Sequence, residues 1–124
     1  MNFDNSSLNK LFGAFKPAFK GIGIAFKSER NLRFHSIAIG CVIIFSFVFY
    51  ISVIEWLIIL VFFALVIALE LINTAIEKLC NVIQPEKDER IRIIKDISAG
   101  AVLWVAIMAL IAGLLIFIPK IFSL

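Results

Sequence analysis

ISVIEW, residues 51–56, decides how this chain folds. It lies inside an apolar run from Ser36 to Leu69 that is too long for one membrane crossing, because about 20 apolar residues already span the roughly 30 Å hydrocarbon layer. Glu55 and the amphipathic ring of Trp56 supply the break, which divides the run into two crossings at about 36–53 and 56–79. A third apolar stretch, about 98–118, stops at Pro119 and Lys120, where a proline and a cation mark an interface.

Working outward from that break, the composition agrees. Of 124 residues, 62% are hydrophobic and the mean hydropathy is +1.06, well above the apolar share of about 45–50% in soluble domains. Thirteen Phe stand against one Tyr, and a Phe ring has no polar tip to satisfy. The expected molecule is an all-α membrane protein, with residues 1–124 forming a single integral-membrane domain. Cys41 and Cys80 are too few for a disulfide framework or a zinc spacing and read as small hydrophobes. The first thirty residues lack the apolar core and cleavage site of a secretory signal, so the N-terminus is expected to be kept. The net charge of +3 is used at the membrane surface, and no nucleic-acid partner is expected.

Lys10, Lys16, Lys20, Lys27, Arg30 and Arg33 precede the first crossing, and Lys78, Lys87, Arg90, Arg92 and Lys95 surround the second connection. The turn at Glu55 has none. That asymmetry puts the N-terminus and the 80–97 loop in the cytoplasm and the C-terminus outside a bacterial inner membrane. Ahead of the first crossing, Phe12, Phe15, Phe19, Ile22 and Phe26 recur at three- and four-residue steps with lysines off the stripe. This predicts an amphipathic interfacial helix over about 10–33, its lysines set against anionic headgroups, which Pro17 starts or kinks.

ALELINTAIEKLCN, residues 68–81, breaks the apolar pattern. Glu70, Asn73, Thr74 and Glu77 share one helix face by steps of three and four. Glu70 lies ~21 Å along the helix from Trp56, within hydrocarbon depth, and Glu77 lies ~31 Å along, at the boundary. An acid at a span's centre costs on the order of 2.5–3.5 kcal/mol on insertion scales, so Glu70 points to function. Thr74 suits helix-to-helix hydrogen bonding, and Glu77 is also placed to snorkel. Two further polar groups reach the same level: Lys95-Asp96 before the small residues Ser98 to Ala101, and Glu29 among Lys27, Arg30 and Arg33. Carboxylates, an amide and cations meeting at one membrane surface suit a reaction between a water-soluble polyanion and a lipid headgroup. GIGIAFKS, residues 21–28, is not a phosphate loop, since Phe26 stands where its last glycine is required. His35, with no second histidine, reads as an interfacial polar contact.

ELINTAIEKL, the later KDISAGAVL and the earlier KGIGIAFKSERNLRFH together resemble the prokaryotic diacylglycerol kinase family, which includes the undecaprenol kinases, over about residues 10–118. The resemblance implies an ATP- and Mg²⁺-dependent lipid kinase, a homotrimeric helix bundle with sites shared between subunits. It would transfer the γ-phosphate of ATP to the hydroxyl of a membrane lipid alcohol, diacylglycerol or undecaprenol, and so feed phospholipid synthesis or cell-wall lipid-carrier recycling. Carried over by position, Glu70 is the catalytic base, Glu29 and Glu77 hold Mg²⁺, and Lys10, Glu29, Glu77, Glu86, Lys95 and Asp96 surround the nucleotide. Asn73 supports the site, and Ala99 and Glu70 face the acceptor.

The pattern is broken in places. Asn81 replaces a usual aspartate, QPEKDERIRII lacks the Tyr-His that often follows its glutamate, Pro17-Ala18 replaces Tyr-Ser of one branch, and Ala99 replaces its serine. His35 and KDISAGAV are more like the undecaprenol-kinase branch. The competing reading is a small proton-coupled transporter or channel subunit using Glu70 and Glu77 as a relay. Against it, the acids cluster toward one membrane face and leave no path to the other.

Overall fold

The computed structural model describes residues 5–123, and the regular elements among them are all helices. α1 spans Asn5–Ser28, α2 Arg30–Val48, α3 Val53–Ile83 and α4 Glu89–Phe122. α2, α3 and α4 are each long and apolar enough to cross a bilayer. At 1.5 Å per residue, α3 and α4 run ~46 and ~51 Å, so both extend past a ~30 Å hydrocarbon layer and carry their polar ends out of it. α3 is the common partner: α2 and α4 each pack on it and not on each other, and α1 leans on α2 and α3. Most large side chains of these helices remain exposed, which water would penalise and acyl chains would not.

The break between α2 and α3 falls at residues 49–52, earlier than the expected one at Glu55, because Ser52 caps the helix. Ser52 Oγ accepts from the Glu55 backbone N–H at 3.2 Å, and Glu55 Oε1 accepts from the Ser52 N–H at 2.9 Å, a reciprocal capping box. Glu55 is thus the first turn of α3, not the interruption. Tyr50 makes the reversal in left-handed backbone, with φ of 48° and its side chain exposed. Ile51, Ile59 and Ile116 close this end with Phe49, Trp56 and Phe117, and the Phe49 and Phe117 rings meet edge-on at 6.1 Å.

α4 also outruns its expected end. It continues through Pro119 to Phe122, and Lys120 Nζ reaches Glu55 Oε1 at 3.0 Å. The Ser52 N–H first, and then the Lys120 ammonium, hold the Glu55 carboxyl below its ordinary value of about 4.5. A folded value lowered in this way gives stability that is present above the ordinary value and lost as pH falls through the lower one. In detergent, the melting temperature should therefore hold steady down to about pH 5 and decline below about pH 4.5. Glu55→Gln should blunt that acid-side decline, and superimposable acid profiles for the two proteins would reject the assignment.

α1 and α2 do not form one continuous helix from 10 to 33. Glu29 sits between them in extended backbone, φ −115° and ψ 113°. The helix ends there because Arg33 reaches back and donates through Nη1 to the carbonyls of Phe26, 2.7 Å, and Lys27, 3.0 Å, satisfying acceptors that a helix end leaves open. Leu32 is fully buried beneath this joint. α1 begins at Asn5 and passes through Pro17, so proline does not start it; the missing N–H costs one carbonyl its helical partner without ending the helix. Phe12, Phe15 and Phe19 are exposed along its length.

Candidate active site

Glu70 is buried on α3, its side chain 4% exposed. The long apolar sequence around it keeps α3 helical, which fixes the place of residue 70 along that helix. Its neighbours on the same face follow the helical spacing: Thr74 donates Oγ1–H to the Glu70 carbonyl at 2.9 Å, and Asn73 donates Nδ2–H to Glu77 Oε1 at 3.4 Å. Thr74 is therefore spent on its own helix and not on gluing two together. Asn73 Oδ1 is buried and has no hydrogen-bond partner, a costly state for a carbonyl oxygen.

From α2, His35 Nε2 stands 3.2 Å from Glu70 Oε1. The sequence missed this contact, reading His35 as a lone interfacial residue. Glu29, in the joint before α2, and Glu77, on α3, are the other carboxylates whose charge acts on Glu70. Glu29 caps nothing with its side chain, and its carboxylate makes no hydrogen bond or ion pair among the described residues. No three His, Cys, Asp or Glu side chains converge as a ready-made metal cluster among those residues.

Beyond α3's polar end, a basin of about 630 Å³ opens between α3 and α4, lined by Asn81, Glu86, Lys87, Asp88, Arg92 and Lys95 among others. Lys95 Nζ donates to Asn81 Oδ1 at 2.7 Å, so the residue that departs from the family pattern anchors the lysine. Asp88 caps α4 by accepting from the Arg90 N–H at 2.8 Å, and the Arg90 guanidinium beside it holds its carboxyl down at about 2. Arg92 ties itself to Glu89 and, at 3.0 Å, to Asp96. Asp96 is thereby occupied by an arginine that the sequence reading had not placed in the site. Lys10 is exposed on α1 with no ion pair among the described residues, and Ala99 is exposed on α4; nothing in the geometry joins either to Glu70.

On the opposite side of His35, an apolar groove of about 570 Å³ runs between α2 and α4 over α3. His35 and Phe34 line its head, Val66 and Ala109 its middle, and Phe49 and Phe117 its far end. It exists because α2 and α4 pack on α3 and not on each other. With three helices apolar enough to cross a bilayer, an acid buried beside a histidine that lines an apolar groove, and a charged basin at the polar end of α3, the chain has the make-up of a membrane protein. The model for the prokaryotic diacylglycerol kinase family matches residues 16–117, and the chain belongs to that family. It is 40% identical over 115 residues to the undecaprenol kinase of Bacillus subtilis, covering 93% of this chain and 94% of that one. It is 34% identical over 115 residues to the diacylglycerol kinase of a Synechocystis species, covering 92% of this chain and 66% of that one.

Proposed function

We propose that this protein is a lipid kinase that moves the γ-phosphate of ATP to the hydroxyl of a membrane alcohol, diacylglycerol or undecaprenol. The observation that carries the reading is Glu70, a buried carboxylate on α3 whose neighbour His35 lines the head of the apolar groove. In this reading the acceptor's hydrocarbon lies in the groove and its hydroxyl comes to Glu70, which takes the proton as the oxygen attacks phosphorus. The triphosphate lies over the basin, where Lys95, held by Asn81, presents a point charge to its oxygens. Glu86 lines that basin from the loop. The proton-relay reading is not favoured, because the family to which the chain belongs is one of kinases.

The residues present fit Mg²⁺. It takes hard oxygens, usually one or two carboxylates together with substrate phosphate and water. Glu29 and Glu77 supply the carboxylates, and the orphaned Asn73 Oδ1 beside Glu77 is an oxygen left wanting a partner. Bound there, Mg²⁺ would neutralise phosphate charge. Glu29 and Glu77 would hold it at the polar boundary, above the acyl chains.

The wider reading follows from the same residues. α1 lies on the cytoplasmic surface through its exposed phenylalanines, the C-terminus is outside, and residues 1–124 act as one domain. Association of copies would shield from lipid the polar surface that thin helices leave open, and the number three is what the likeness to the family implies. The test is transfer of γ-phosphate from Mg-ATP to diacylglycerol or undecaprenol in mixed micelles containing the purified protein. Phosphorylated lipid is expected with at least one, and none with any alcohol tried would end the reading.

A further inference from the structure

The His35–Glu70 contact is not required by anything the sequence motifs assign. Two independent observations converge on it. The first is distance: Nε2 lies 3.2 Å from Oε1, an ion-pair contact at the long end of the N–H···O range. The second is place: His35 also lines the head of the apolar groove, so one ring touches both the buried acid and the groove. Its side chain is 24% exposed against 4% for Glu70, which sets it on the groove side of the pair.

We infer that His35 is a positioning residue for the base: its Nε2–H holds Oε1 of Glu70, fixing the carboxylate so that Oε2 is the oxygen offered to the acceptor hydroxyl. This rests on the lipid kinase reading. A glutamate side chain has three rotatable bonds, and neither backbone nor α3 neighbours fix its two oxygens: Thr74 bonds the Glu70 carbonyl and Asn73 bonds Glu77. Among the described residues, only α2 brings a side-chain N–H to those oxygens. The step balances without His35 gaining or losing a proton. The acceptor O–H bond breaks as Oε2–H forms, the oxygen bonds to the γ-phosphorus, and the bond from that phosphorus to the bridging oxygen breaks with ADP leaving. A carboxylate free to rotate would present its proton-accepting lone pair correctly for only part of the time, and the loss would appear in the chemical step.

The experiment uses full-length protein in mixed micelles with Mg-ATP and diacylglycerol or undecaprenol, whichever the wild type phosphorylates. His35→Phe keeps a ring at the groove but no donor, and should lower kcat about 10–100-fold with KM for Mg-ATP unchanged within twofold, the span expected for a lost hydrogen bond to a charged group. His35→Gln can return an amide N–H near the Nε2 position, and should recover kcat to within about threefold of wild type. Combined with Glu70→Gln, His35→Phe should cost nothing further, because the group it positions is gone. Wild-type kcat in His35→Phe overturns the inference while leaving the kinase reading intact. So does a His35→Gln protein as slow as His35→Phe, or a double variant slower by the product of the two losses. A wild type that phosphorylates no lipid alcohol overturns the kinase reading itself, and this inference with it.

Discussion

Glu70→Gln is expected to lower kcat by about 10²–10⁴-fold, the usual contribution of a positioned general base, while KM for Mg-ATP stays within about twofold. That loss corresponds to roughly 3–5 kcal/mol of transition-state stabilisation. Glutamine is isosteric and still accepts a hydrogen bond from His35, so the fold and the groove are kept and only the ability to take a proton is removed. Burial should favour the amide if anything, since an uncharged side chain is cheaper to keep among acyl chains than a carboxylate. The variant should therefore express and melt at least as well as wild type while turning over slowly. Steady-state kinetics in mixed micelles, with a melting curve on the same preparation, separates the two effects. Wild-type kcat would remove Glu70 from the base role.

Glu77→Gln should behave differently. With Glu29 it forms the pair of carboxylates proposed for Mg²⁺, and losing one of two ought to raise the Mg²⁺ concentration for half-maximal rate by about 10–100-fold. KM for ATP should rise in parallel at fixed Mg²⁺, because the cation and the triphosphate arrive together. Excess Mg²⁺ should restore part of the rate, and it should not do so for Glu70→Gln. The neighbouring amide sharpens this test: Asn73 donates to Glu77 across 3.4 Å and leaves its own oxygen unpaired, so neutralising Glu77 also loosens the group beside it. A Mg²⁺ dependence identical to wild type would rule Glu77 out as a ligand.

The apolar run and the single interruption in it were enough to read the helices, because hydrophobic length and capping residues are local properties. Their limits were less legible where a distant residue sets them. Glu55 looked like a break because acids rarely sit in apolar runs, but it is stabilised inside α3 by Ser52 three residues earlier and by Lys120 on another helix. Glu29 looked like the middle of a surface helix, and the break there comes from Arg33 folding back on α1. The place of Glu70 along α3 could be counted from the sequence, and its side chain is buried within the protein. His35 could have been counted too: it stands about 20 Å from the end of α2, and Glu70 about 26 Å from the start of α3, nearly level. What no single sequence gives is how two helices are rotated about their axes, and that rotation is what makes the pair touch. The basin's internal ties, Lys95 to Asn81 and Arg92 to Asp96, were hidden for a related reason, since each cation there had several acids within reach along the chain.

The aromatic closure at Phe49 and Phe117 has a mechanical side. Phe49, in the turn after α2, and Phe117 of α4 meet at the far end of the groove with the isoleucines around them, while the two helices themselves stay apart. Such a layout is a pair of tweezers whose fulcrum is that far end and one of whose tips carries His35 to the acid. With a lever arm of about 20 Å, a pivot of about 5° at the fulcrum carries the tip bearing His35 by about 2 Å, more than the play in one hydrogen bond. Small angular changes at the quiet end of the molecule are thus magnified where proton transfer is proposed, while the fulcrum itself hardly stirs.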